Sequence, residues 1–130
     1  MAARSQTILI VEDEPAVRKF VAATLARMGF GIIEAGSTQE ALSAMQAFAG
    51  NFALVISDIG MPGGSGLDFA NEVDSVRPGT PILYMSGMVH SVAVEAILQR
   101  DPGLLLMKPF TADDLSKRVS ETLGEPSKDC

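Results

Sequence analysis

Glu12, Asp13, Asp58, Ser86 and Lys108 would form a reactive set if the fold brought them together. Carboxylates crowded within a few ångströms repel one another and raise each other's pKa unless a cation joins them. Hard oxygen donors at an open site suit Mg²⁺, which keeps several waters and prefers phosphate as a further ligand. A carboxylate is also a nucleophile toward phosphorus, giving an aspartyl-phosphate. Phosphoryl transfer asks chiefly for positioning and for cancelling charge on the equatorial oxygens. The Ser86 hydroxyl and the Lys108 ammonium are of the right type for that second task. Taken singly, each residue has an ordinary reading: Asp58 in a turn, Glu12-Asp13-Glu14 at a helix start, Ser86 before Gly87 in a turn, and Lys108-Pro109 in a solvated loop. A shared location is what argues against that, and it depends on the elements that carry them.

Short apolar runs alternate with helical patterns along the chain. Thr7–Val11 reads as a strand. Pro15–Met28 follows, with Val17, Phe20, Val21, Thr24, Leu25 and Met28 at helical spacing and Gly29 as a left-handed cap. Gly31–Ala35 is a second strand. Ser37-Thr-Gln-Glu40 has the form of a capping box for a helix through Phe48. Phe52–Ser57 is a third strand, and Asp58–Ser65, with three glycines and a proline, must be a loop. A helix over Gly66–Val76 stops before Arg77-Pro78-Gly79. Pro81–Ser86 and Leu104–Met107 are the last strands, separated by a helix over Ser91–Arg100. Thr111 caps a final helix carrying Leu115, Val119 and Leu123 on one face.

The order is (βα)₅, which predicts an α/β fold: a doubly wound, five-stranded parallel sheet in the flavodoxin-like order 2-1-3-4-5. Ligands of such sheets bind beyond the carboxyl ends of the strands, where the order reverses. Strand one ends in Glu12 and Asp13, strand three in Asp58, strand four in Ser86 and strand five in Lys108. All five candidates therefore fall at one end of one sheet.

Composition narrows the functional class. The length suits one domain over residues 7–124, with a short extension at 1–6 and a flexible tail at 125–130. A formal charge of −6 and a pI near 4.6 argue against direct nucleic-acid binding. The apolar runs are too short for a membrane span, and Met1–Gln6 lacks the apolar stretch of a signal peptide. The single cysteine, Cys130, permits no internal disulfide. A cytoplasmic protein without contact to membranes or nucleic acid is expected.

The segments ILIVEDEP (8–15), VISDIGMPGGSG (55–66), ILYMSG (82–87) and LMKPF (106–110) together resemble the response-regulator receiver domain of two-component signalling. The wording MSG and MKPFT is similar to receivers attached to hybrid histidine kinases. The resemblance implies that Asp58 is the phosphoacceptor of a phosphorelay and that a sensor histidine kinase or histidine phosphotransfer protein is the donor. It implies Mg²⁺ held by Asp13, Asp58, Glu12 through water, and the backbone carbonyl of Gly60. Ser86 and Lys108 take the places of the hydroxyl and lysine that meet the phosphoryl group, and the Lys108–Pro109 bond is expected to be cis. The implied output is a conformational change passed to a downstream protein, with a phosphorylation-dependent dimer through helix four, strand five and helix five. Beyond supporting its own phosphotransfer and self-dephosphorylation, no enzyme activity is expected.

Several residues depart from the family's pattern. Glu12 replaces a commoner Asp, which should shift metal geometry slightly. Leu105 stands where an aromatic switch is frequent. Gly60 and Met88 offer no polar side chain to orient an attacking water, so slow self-hydrolysis is expected. Helix four carries Val92, Val94, Ile97 and Leu98 on more than one face, either as a well-buried helix or as an exposed apolar surface. His90 reads as an exposed loop residue and Cys130 as an incidental thiol. Three other readings compete: a receiver-shaped module that does not use phosphate, a hydrolase of the haloacid dehalogenase type, and a flavin carrier. The second lacks an acid at Gly60, and the third is opposed by the acidic EDEP turn where a flavin phosphate needs donors.

Overall fold

The computed structural model describes residues 6–48, 50–59, 66–87, 92–100 and 105–124. Gly60, Met88, His90, Leu104 and Cys130 lie outside them, as do the first five residues and the tail from 125. Five strands alternate with five helices: β1 (Thr7–Val11), α1 (Pro15–Arg27), β2 (Gly31–Ala35), α2 (Thr38–Ala47), β3 (Phe52–Asp58), α3 (Gly66–Val76), β4 (Ile82–Ser86), α4 (Val92–Arg100), β5 (Leu105–Met107) and α5 (Ala112–Thr122). The strands are parallel and lie in the order β2-β1-β3-β4-β5, as the alternation predicts.

Successive strand residues face opposite sides of the sheet, and the core divides accordingly. Ile8, Ile10, Leu54, Ile56, Leu83 and Met85 pack with Val21, Leu25, Leu115 and Val119 of α1 and α5. On the other face Leu9, Val11 and Val55 pack with Ala41 and Met45 of α2 and Phe69 and Val73 of α3. Ile59, Tyr84 and Leu105 meet Val94 and Ile97 of α4 in a third cluster. Helix four thus buries Val94 and Ile97 while Leu98 stays 41% exposed.

Several boundaries differ from the sequence reading. Asp58 belongs to β3, because its register with Met85 continues the ladder one residue further. Pro81 precedes β4, since it has no N–H to donate, although its carbonyl accepts from Val55 N–H at 3.0 Å. Helix α1 ends at Arg27, with Met28 as its cap and Gly29 at φ 97°. At α2 only half of the predicted capping box forms. Ser37 accepts from Glu40 N–H, but the Glu40 carboxylate turns to Gly36 N–H at 2.7 Å. The box at Thr111 and Asp114 is complete. Phe20, placed by periodicity on the inner stripe of α1, is 40% exposed and stacks near Phe110 with ring centroids 6.2 Å apart.

Candidate functional site

Register explains how residues so far apart in sequence converge. Val11 pairs with Ser57, so Glu12 and Asp58 leave neighbouring strands side by side. Asp58 pairs with Met85 and Ser86 with Met107, which carries Ser86 and Lys108 to the same edge. The ladder ends with Lys108 N–H donating to the Ser86 carbonyl at 2.8 Å. This edge lies at the switch point, where β2 and β3 flank β1 on opposite sides.

Glu12, Asp13 and Asp58 each bring a carboxylate oxygen to within 4.8 Å of the others. Their exposures differ: Glu12 is fully buried, Asp58 partly buried and Asp13 exposed. Lys108 Nζ bridges the two inner acids, donating to Glu12 Oε1 at 2.8 Å and to Asp58 Oδ2 at 3.2 Å. Glu12 Oε2 accepts from Glu14 N–H at 3.1 Å. The Lys108 ammonium therefore lies inside the acidic cluster.

The charge balance follows from these contacts. Burial raises the Glu12 carboxyl above its ordinary value, and the nearby Asp58 charge adds to this; hydrogen bonds from Lys108 and Glu14 oppose it. For Lys108 burial acts downward, but the Glu12 hydrogen bond and the charges of Asp58 and Glu12 win and raise it. Lys108 is thus firmly an ammonium. Three carboxylates against one ammonium still leave an excess of negative charge at an open edge. The donor set is all hard oxygen, and Asp13 and Asp58 are accessible to an ion. This donor set fits Mg²⁺.

Ser86 is buried at the end of β4, beside the strand that carries Asp58. The Lys108–Pro109 bond is cis, as the resemblance implied. Leu105 is buried and pairs in register with Tyr84, so aromatic bulk in this cluster is on β4 rather than on β5. Gly60 lies outside the described residues.

Two supporting residues were missed from sequence. Arg18 on α1 donates through Nη1 to the Glu12 carbonyl at 2.8 Å and through Nε to Glu34 Oε1 at 3.3 Å. The signal available was an arginine one turn into a helix otherwise read for its apolar stripe. A second signal was Glu34, an acid near the end of a short apolar strand.

Comparison with known proteins agrees with this fold. The response regulator receiver domain family matches residues 8–120. The sensor kinase CckA of Brucella abortus is 32% identical over 92% of this chain, which spans 13% of that protein. The chain is 37% identical to the transcriptional regulatory protein PdtaR of Mycobacterium tuberculosis over 88% of its length and spans 55% of that protein. The crystal structure of the receiver domain from hybrid histidine kinase CckA is 31% identical with a TM-score of 0.72, covering 90% of this chain and 98% of that one. The chemotaxis response regulator CheY4 of Vibrio cholerae is 27% identical with a TM-score of 0.76, covering 92% and 99%.

Proposed function

The chain belongs to the response regulator receiver domain family, and from that premise we propose that it is a phosphoacceptor switch whose acceptor is Asp58. The observation that carries this reading is the meeting of Glu12, Asp13 and Asp58 with Lys108 Nζ at the switch point. An ionised Asp58 oxygen attacks the phosphorus of a phosphohistidine. The P–N bond breaks, its electron pair stays on the imidazole nitrogen, and that nitrogen then takes a proton. Asp13 and Asp58, with Glu12 through water and the Gly60 carbonyl, would hold Mg²⁺, which would supply charge neutralisation for the phosphoryl oxygens. Lys108 exchanges its bond to Asp58 for one to a phosphoryl oxygen, and Ser86 turns its hydroxyl to another. Asp58 keeps a covalent phosphoryl group of about −1.5 to −2 charges. The ends of β4 and β5 follow Ser86 and Lys108.

Residues 7–124 form the receiver unit in this reading, and it acts in the cytoplasm. The donor is a sensor histidine kinase or a histidine phosphotransfer protein. Likeness to the receiver of a hybrid kinase supports either. Such a donor must rest beside Asp58, and an apolar shoulder of Val17, Phe20, Pro109 and Phe110 adjoins Lys108 there. Output passes to a downstream protein or to a phosphorylation-dependent dimer through α4, β5 and α5. Self-dephosphorylation is slow, because Gly60 and Met88 cannot orient water with a side chain.

Phosphotransfer from an autophosphorylated histidine kinase tests this reading. Label should pass to the wild-type chain in Mg²⁺ and fail to pass in excess chelator or to Asp58→Asn. Transfer undiminished in Asp58→Asn would move the acceptor elsewhere and overturn the assignment.

A further inference from the structure

Arg18 ties together three segments that frame the acidic turn. Its side chain is 19% exposed, with Nη1 on the Glu12 carbonyl and Nε on Glu34 near the end of β2. The turn from β2 into α2 also lies against it: a Cβ built on Gly36 would come 3.4 Å from Arg18 Nη1 and 3.5 Å from Glu40 Oε1. The Glu12 carbonyl belongs to the planar peptide unit that leads into Asp13, so fixing the oxygen fixes the direction from which the Asp13 backbone starts. The opposite side of Glu12 is fixed as well, because its N–H donates to Ala35 at 3.0 Å. We propose that Arg18 is a positioning residue for Mg²⁺, holding the Glu12–Asp13 turn so that its carboxylates stay aimed at the ion. This rests on the reading of the acidic cluster given above.

Charge and geometry predict opposite signs, which makes the role testable. Removing a cation close to a cluster of acids strengthens divalent-ion binding through Coulomb interaction alone. Releasing the turn weakens it. Arginine's planar fork reaches two acceptors in different directions, and a lysine in its place keeps the charge but reaches one.

The experiment is calorimetric titration with Mg²⁺ alone, on wild type, Arg18→Ala, Arg18→Lys and Arg77→Ala, well below each unfolding midpoint. Arg77 is the structural control: it caps the carboxyl end of α2 by donating to the Met45 and Phe48 carbonyls, just before β3 begins and a full strand away from Asp58. Arg18→Ala should weaken Mg²⁺ binding about tenfold, the usual cost of losing a group that orients metal ligands. Arg18→Lys should weaken it about threefold, and this carries the test if the alanine variant fails to fold. Arg77→Ala should lose stability with its Mg²⁺ affinity unchanged. Unchanged or tighter binding in both Arg18 variants would overturn the proposal, as would an equal loss in Arg77→Ala. If the wild type itself binds no Mg²⁺, the reading of the acidic cluster fails and this inference with it.

Discussion

Lys108 has two partners in the resting site, and its removal should separate two effects that act in opposite directions. Lys108→Met strands the buried Glu12 beside Asp58, so stability without metal should fall by about 2–3 kcal/mol; this is below the fully buried case because the lysine side chain is 22% exposed. The same change removes the ammonium that competes with a divalent ion for the acids, so Mg²⁺ should bind more tightly than to wild type. Chemical denaturation with and without Mg²⁺ measures both, and a variant that is less stable yet binds Mg²⁺ no better would contradict this electrostatic account. The gathering of Glu12, Asp13, Asp58, Ser86 and Lys108 at one sheet edge was legible in sequence because each ends or directly follows a strand, and strand ends can be read from apolar runs. The Lys108–Glu12 bond was not, since it depends on side-chain reach. Nor was Arg18, whose acceptors are a backbone carbonyl and an acid on another strand.

At the scale of elements, α1 and α5 make separate predictions. Phe20 was expected inside because it fits the helical stripe, yet Val21, Ala22 and Leu25 fill the core-facing strip and leave Phe20 against Phe110 at the site's rim. Phe20→Ala should slow phosphotransfer from a protein donor several-fold while leaving modification by a small phosphodonor unchanged; kinetic comparison of the two donors checks this. Helix α5 starts with a complete capping box. The Thr111 backbone N–H, and then its hydroxyl contact, hold the Asp114 carboxyl below its ordinary 3.8. A depressed acid contributes stability that is present above the unfolded value and lost as pH falls through the folded one. The stability gap between wild type and Asp114→Asn should therefore be full above pH 3.8 and close below it. Thr111→Ala should cost about 1 kcal/mol at neutral pH. Thermal melts across acid pH read both. The Thr111 cap was legible in sequence, whereas the box at α2 was half legible. Nothing in Ser37-Thr-Gln-Glu40 says that Gly36 N–H will win the glutamate.

For the molecule as a whole, order and topology were readable because near-continuous apolar strands force a sheet covered on both faces. The two-faced apolar pattern of α4 stayed ambiguous until Val94 and Ile97 were seen to pack on Tyr84 and Leu105. An acidic cluster at the switch point should couple the stability of the entire fold to metal. At a Mg²⁺ concentration 100-fold above its Kd, the gain is about 2.7 kcal/mol, enough to raise the unfolding temperature by several degrees. Asp13→Asn should remove most of that rise. Uptake of one phosphoryl group by Asp58 with the help of Mg²⁺ is read by intact-protein mass spectrometry after acetyl phosphate treatment. Wild type with Mg²⁺ should gain one phosphoryl group, with no gain without the ion or in Asp58→Asn. The same gain in Asp58→Asn, or in wild type stripped of divalent ions, would contradict it.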